Sequence, residues 1–124
     1  MIKTCVISLG SNAPSPGCIL SARSALLAVF PDIRFSRLQQ TFPIGFPSPR
    51  LFYNQVAFCT TSLPLSEVQF LLKKIETAHG RRTEDKASGI VKLDLDLLCY
   101  DGCVLKPDDW SRPYVREGLE ELHA

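Results

Sequence analysis

The order of apolar periodicities along this 124-residue chain predicts an α+β fold. Strand and helix patterns follow one another as β-α-β-β-α-β, the split βαβ or ferredoxin-like arrangement. That order calls for an antiparallel sheet with two helices on one face, followed by a C-terminal hairpin and a short helix. Three observations carry the reading. Two segments have apolar residues at helical steps, each flanked by β-rich runs. Lys92 to Leu97 alternates apolar and polar residues, the period of a half-buried strand. An Asp-Gly pair at 101–102 then turns the chain back on itself.

Residues 2–9 are short and β-rich, and Gly10-Ser11-Asn12 is expected to end this first strand. Ser15-Pro16 supplies an N-cap and a proline at the first helical position. Ile19, Ala22, Leu26, Val29 and Phe30 then mark one face of the first helix, which Pro31 stops. Residues 33–42 alternate loosely and are expected to form the second strand. Phe42 to Arg50 holds three prolines and a glycine and cannot enter a sheet or a helix. Its Phe42, Ile44 and Phe46 either pack down on the domain or wall a ligand site, and the two readings stand equal. Residues 52–61 form the third strand. Asn54, near its start, reads by itself as a cap or edge residue.

The second helix spans about Pro64 to His79. Leu65, Val68, Leu72, Ile75 and His79 share a stripe, and Gly80 ends it. A histidine on that stripe is expected to be a packed helix-end residue. Arg81 to Gly89 is a charged loop without period. The fourth strand spans 92–100, and Cys103-Val104-Leu105 returns as the hairpin partner. Lys106 to Asp109 starts a turn, and residues 114–123 form a final helix.

The totals narrow the classes. The 14 basic and 13 acidic residues leave a formal charge of +1, so the basic footprint of a nucleic-acid binder is absent. Five cysteines, an odd number without a CxxC pair, read as reduced thiols in a cytosolic protein. No apolar run approaches the roughly 18 residues that span a bilayer, and no signal peptide is expected. Neither a membrane nor a nucleic acid is therefore expected as a partner.

Leu93, Leu95 and Leu97 point to one side of the fourth strand and Lys92, Asp94 and Asp96 to the other. The covering helices take the leucine side, which leaves the aspartate side open to the long loops. Aspartate is depleted in strands, so two on one face need a reason. They lie about 6.5–7 Å apart along the backbone, a spacing at which two carboxylates converge on one Mg²⁺ or share two. A solvated edge-strand face is the plainer alternative.

Ser8-Leu9-Gly10-Ser11-Asn12, Thr41 to Gly45, Phe52-Tyr53-Asn54-Gln55-Val56, Ile75-Glu76 with Gly80-Arg81, and Leu93 to Leu98 together resemble one family. In order and spacing they are similar to 6-hydroxymethyl-7,8-dihydropterin pyrophosphokinase over about residues 4–113. The resemblance implies one pyrophosphokinase-like domain, 1–124, acting cytoplasmically in folate biosynthesis. Its partners would be ATP and a reduced pterin, with two Mg²⁺ ions held by Asp94 and Asp96. It implies a pterin pocket formed by Thr41, Pro43, Ile44 and Gly45, the Asn54 amide and the stacking ring of Phe52. It places Glu76, Arg81 and Lys92 on the nucleotide side, with Arg81 joining Asp94 and Asp96 in catalysis.

The sequence also departs from the family pattern. Ser88 and Val91 stand where the family has tryptophan and a second arginine. Tyr114 replaces a histidine after Pro113, and Glu120 replaces a later arginine. The family's C-terminal tail, with a second pterin-stacking aromatic, has no counterpart. Charged hydrogen bonds to phosphate are the strong ones, so a non-catalytic relative that binds pterin or nucleotide, or serves as a subunit, is the alternative. Lys92 either stands in for one arginine or pairs with Asp94. A shortened C-terminus would also leave an apolar patch for a partner or second copy to cover, so a homodimer is kept open. An unrelated ferredoxin-like regulatory or RNA-binding module is the third reading.

Overall fold

The computed structural model describes residues 1–12, 17–41, 52–79 and 92–124. The expected Ser15-Pro16 cap, the Phe42–Arg50 loop, the Gly80 stop and the Arg81–Gly89 loop lie outside these residues. Among them the order is β1 (Lys3–Ser11), α1 (Gly17–Val29), β2 (Arg34–Phe35), β3 (Gln39–Thr41), β4 (Phe52–Thr61) and α2 (Leu65–Ala78). The chain continues through β5 (Asp94–Tyr100), β6 (Cys103–Val104), a single-turn α3 (Pro107–Trp110) and α4 (Pro113–Leu122). The strands form one antiparallel sheet in the order β2-β4-β1-β5-β6, with β3 also on β4. This is the ferredoxin-like order that the periodicities predict.

β1 runs two residues further than the sequence suggests. Gly10 pairs with Asn54 on one side and Asp94 on the other, so both neighbours carry it along. The expected second strand breaks into β2 and β3 because Ser36 turns inward. Its N–H donates to the Val56 carbonyl (2.9 Å) while its hydroxyl accepts from the Val56 N–H (3.0 Å). A side-chain oxygen thus does the work of a ladder carbonyl, and the regular pairing is interrupted there. Asp101 and Gly102 both have positive φ (52° and 80°), the backbone of a two-residue hairpin turn.

One face of the sheet carries Cys5, Ile7, Leu9, Ala57, Cys59, Leu93, Leu95 and Leu97 against Ile19, Ala22 and Leu26 of α1 and Val68 and Leu72 of α2. Both predicted helical stripes therefore bury where expected. His79 is tied at the helix end, its Nδ1 on the Ile75 carbonyl (2.8 Å) and its Nε2 on the Ser21 hydroxyl (2.9 Å). The histidine is structural.

The opposite face corrects the expectation that it stays open. Val6, Val56, Leu98 and Cys99 form a second apolar cluster there, and Val115, Leu119 and Leu122 of α4 pack onto it. A register shift in β5 makes this possible. Val6 pairs with Cys99 and Ile7 with Leu97, so Leu98 is an extra residue that turns to the α4 side while Leu97 stays with α1 and α2. Two bonds moor the C-terminal end of α4: Arg34 Nη1 donates to the Leu122 carbonyl (2.7 Å), and the Arg37 N–H to Glu121 Oε2 (2.9 Å).

Gly118 sets how closely α4 approaches. A Cβ there would fall 2.1 Å from Val56 Cγ1, a distance no carbon pair tolerates. Gly118→Ala is expected to cost about 1–3 kcal/mol through overpacking, read as a lower denaturation midpoint. Adding Val56→Ala should return part of that loss, making the pair less destabilising than the two changes summed. Full additivity would mean that α4 does not rest on Val56.

Candidate active site

The strand register assembles the predicted residues. Gln39, Asn54, Gly10 and Asp94 stand in one row across β3, β4, β1 and β5. Val56, Ser8 and Asp96 form the next row towards α4. Directly paired residues point to the same face, so Asn54 and Asp94 flank Gly10, about 10 Å apart by two inter-strand spacings. Gly10 contributes no side chain between them. A Cβ there would meet Asn54 Oδ1 at 3.5 Å, so the amide oxygen borders this bare strip of backbone.

Asn54 is 7% exposed, on a strand paired on both sides. That corrects its reading as a cap or edge residue. Its Nδ2 donates to the Thr41 hydroxyl and lies 3.4 Å from the Phe52 carbonyl. Thr41 pairs with Phe52 in register, so three of the expected pterin-pocket residues meet at one end of β3 and β4. Pro43, Ile44, Gly45 and Arg81 lie outside the described residues.

Asp94 and Asp96 share the face of β5 opposite Leu95 and Leu97, each half-buried. Burial is the main force raising the Asp96 carboxyl above its ordinary 3.8, and repulsion from Asp94 adds to it. Lys106 works the other way, with its ammonium 2.7 Å from Asp96 Oδ1, and Asp96 in turn raises the lysine. Sequence reasoning treated Lys106 only as the start of a turn. No spacing in the chain marks that contact, because Lys106 lies past the end of the short β6 (Cys103–Val104).

Tyr114, at the first turn of α4, shares a 2.5 Å hydrogen bond with the Ser8 hydroxyl. Burial pushes its phenol up, partly offset by that bond, with further contributions from Asp109, Arg112 and Asp96. A neutral phenol thus stands beside Asp96, where the resembled family places a histidine. Asp109 is itself paired with Arg112 (2.9 Å).

Glu76 lies on the other side of the sheet from this cluster. Glu76 is 8% exposed on the stripe of α2, and its Oε2 accepts from the Leu95 N–H at 2.6 Å. It fixes the β5 backbone between the two aspartates while lying on the helix side of the sheet. Lys92 precedes β5 and is half-buried.

The donor set suits a hard divalent ion. Mg²⁺ takes one or two carboxylates and completes its octahedron with phosphate and water. Two oxygen-bearing acids on one face fit that, and no group of three or more His, Cys, Asp or Glu residues able to hold a metal ion occurs among the described residues. The described cysteines are free thiols, three of them buried, with Cys5 and Cys59 paired in register across β1 and β4. No described helix is long and apolar enough to cross a membrane.

The sheet thus sets a carboxylate pair and an amide on either side of bare backbone, and the comparisons with known proteins give the family of the chain. Residues 6–124 match the family of 7,8-dihydro-6-hydroxymethylpterin-pyrophosphokinase, and the chain belongs to that family. The 2-amino-4-hydroxy-6-hydroxymethyldihydropteridine pyrophosphokinase of two Porphyromonas gingivalis strains is 28% identical over 130 residues, covering 94% of this chain and 88% of the relative. The folate synthesis bifunctional protein of Arabidopsis thaliana is 31% identical over 130 residues, covering 94% of this chain but 26% of that protein.

The Asp96 environment sets a sign for stability. The folded state holds this proton more tightly than the unfolded state, so the stability it contributes falls as pH rises above the ordinary carboxylate range. Asp96→Asn, permanently neutral, should therefore melt above the metal-free wild type at pH 7, with the gap closing as pH falls towards 4. A lower melting temperature at pH 7 would show that the Lys106 pair outweighs burial and repulsion.

Proposed function

We propose that this chain transfers a pyrophosphoryl group from ATP to the hydroxymethyl oxygen of 6-hydroxymethyl-7,8-dihydropterin, with Mg²⁺ held by Asp94 and Asp96. The observation that carries the reading is the row Asn54–Gly10–Asp94. It sets an amide and a carboxylate at opposite ends of a strip without side chains, wide enough for a flat bicycle. The heterocycle edge would meet Asn54 and Thr41, while Phe52 offers its ring. A flat heteroaromatic with donors and acceptors on its rim needs that mixture of contacts.

Transfer of this kind needs alignment and charge neutralisation more than covalent help. Bound Mg²⁺ would supply the Lewis acidity that draws charge from the phosphate oxygens. The chain supplies the rest. Glu76, through the Leu95 N–H, holds the segment between the aspartates so that both keep one face. Asn54, pinned by Thr41, orients the acceptor. Tyr114 offers an uncharged hydrogen-bonding group beside Asp96. In the same reading Pro43, Ile44 and Gly45 complete the pterin pocket, and Arg81 and Lys92 face the triphosphate.

The family and its named relatives support the pyrophosphokinase reading. One observation favours the second reading, a non-catalytic relative: Asp96 already has a cation at 2.7 Å. AMP release from MgATP and the dihydropterin decides between them, with titration calorimetry of each ligand alongside. Asp94→Ala and Asp96→Ala should each lower kcat by about 10²-fold or more, the scale of losing transition-state charge stabilisation. Asn54→Ala should act chiefly on the pterin, lowering kcat/KM by about 10-fold or more through an unpaired polar edge. Pterin and nucleotide binding without AMP formation would make the chain a binding protein.

A further inference from the structure

We propose that Lys106 is a switching cation. It holds Asp96 in the ligand-free protein, resists occupation of the carboxylate pair by a bare divalent ion, and moves onto phosphate when the ion arrives with a nucleotide. The inference rests on the reading of Asp94 and Asp96 as ion ligands and deepens it.

Geometry sets up the competition. The Lys106 ammonium lies on Asp96 Oδ1, on the strand face that Asp96 shares with Asp94. A divalent ion bound to Asp96 would sit within one carboxylate's width of that ammonium, and the two positive charges repel. Lys106 must then shift, and its surroundings let it. Its side chain is 47% exposed and that of Asp96 27%, so the pair lies at the surface, where such bonds are weak and easily exchanged. Lys106 sits between the β6 hairpin and α3 on a four-carbon stem with a freely turning ammonium.

A nucleotide reverses the sign. Its phosphates bring the negative charge that the displaced ammonium needs, so the group opposing a bare ion favours an ion–triphosphate. Arg112, another cation near Asp96, is already engaged by Asp109. Lys106 thereby couples the two ligands: each binds better with the other present.

The test uses the whole chain and two titrations, Mn²⁺ alone and MgATP, on wild type, Lys106→Met and Lys106→Arg. Loss of a surface ion pair should tighten Mn²⁺ binding by about two- to five-fold in Lys106→Met. MgATP binding should weaken by a similar factor, and Lys106→Arg should keep both affinities near wild type. Opposite changes for the two ligands support the inference. Changes of the same sign, or none, overturn it. Asp94→Asn run alongside separates the layers: if it abolishes Mn²⁺ binding while Lys106→Met changes nothing, the switch fails and the ion site stands. If no chain binds Mn²⁺ with or without nucleotide, both fail together.

Discussion

The structure depends on one constraint, the burial of β1 on both faces and both edges. From Cys5 to Asn12 every residue is buried, and the backbone is paired with β4 on one side and β5 on the other. Each side chain is therefore chosen by the layer it enters. Cys5, Ile7 and Leu9 enter the core under α1 and α2. On the other face the series Val6, Ser8, Gly10 grades from apolar to small and polar to nothing. Val6 meets the apolar stripe of α4, Ser8 meets the Tyr114 hydroxyl, and Gly10 leaves the floor between Asn54 and Asp94. A single strand face thus passes from core to site within five residues.

The same face explains why α4 and the site are mechanically joined. Gly118 lets the helix settle against Val56, and Arg34 and Arg37 hold its C-terminal end. Its first turn then delivers Tyr114 to Ser8. Any displacement of α4 is therefore felt beside Asp96. Glu76 acts from the opposite side, through the backbone N–H between the two carboxylates. The positions of the aspartates are fixed by groups on both sides of the sheet, none of which need touch a ligand.

Period and punctuation were legible in the chain where packing obeyed them. The stripes of α1 and α2, the extent of β4 and the two faces of β5 follow directly from spacing, because each is decided by neighbours along the chain. What was not legible depends on partners far away in sequence. Ser36 breaks a strand by lending its hydroxyl to the Val56 N–H, and no local pattern marks a serine that will do so. Asn54 resembled an edge residue until β3 and β1 closed on either side of it. Gly10 resembled a stop, though pairing with Asn54 and Asp94 carries it within the strand. The final helix was foreseen, but the face it covers follows from Leu98, the extra residue in β5. Pro43, Ile44, Gly45 and Arg81 keep the standing that the family resemblance gives them.

The charge balance around Asp96 shows how this chain differs from the pattern it resembles. Among the described residues Lys106 is held at short range by Asp96 and Arg112 by Asp109. Where a histidine stood in the pattern, a buried phenol stays neutral. Of the two histidines, His79 closes α2 against Ser21 and His123 ends α4. The carboxyl whose protonation this neighbourhood favours is that of Asp96, through burial and repulsion from Asp94. Burying like-charged acids together destabilises a fold unless ligand binding recovers the cost, and such upward shifts concentrate where function requires them. A solvated edge strand would show both aspartates fully exposed, whereas each is half-buried. Half-burial, repulsion from Asp94 and a resident lysine set the Asp96 carboxylate apart from a solvated one.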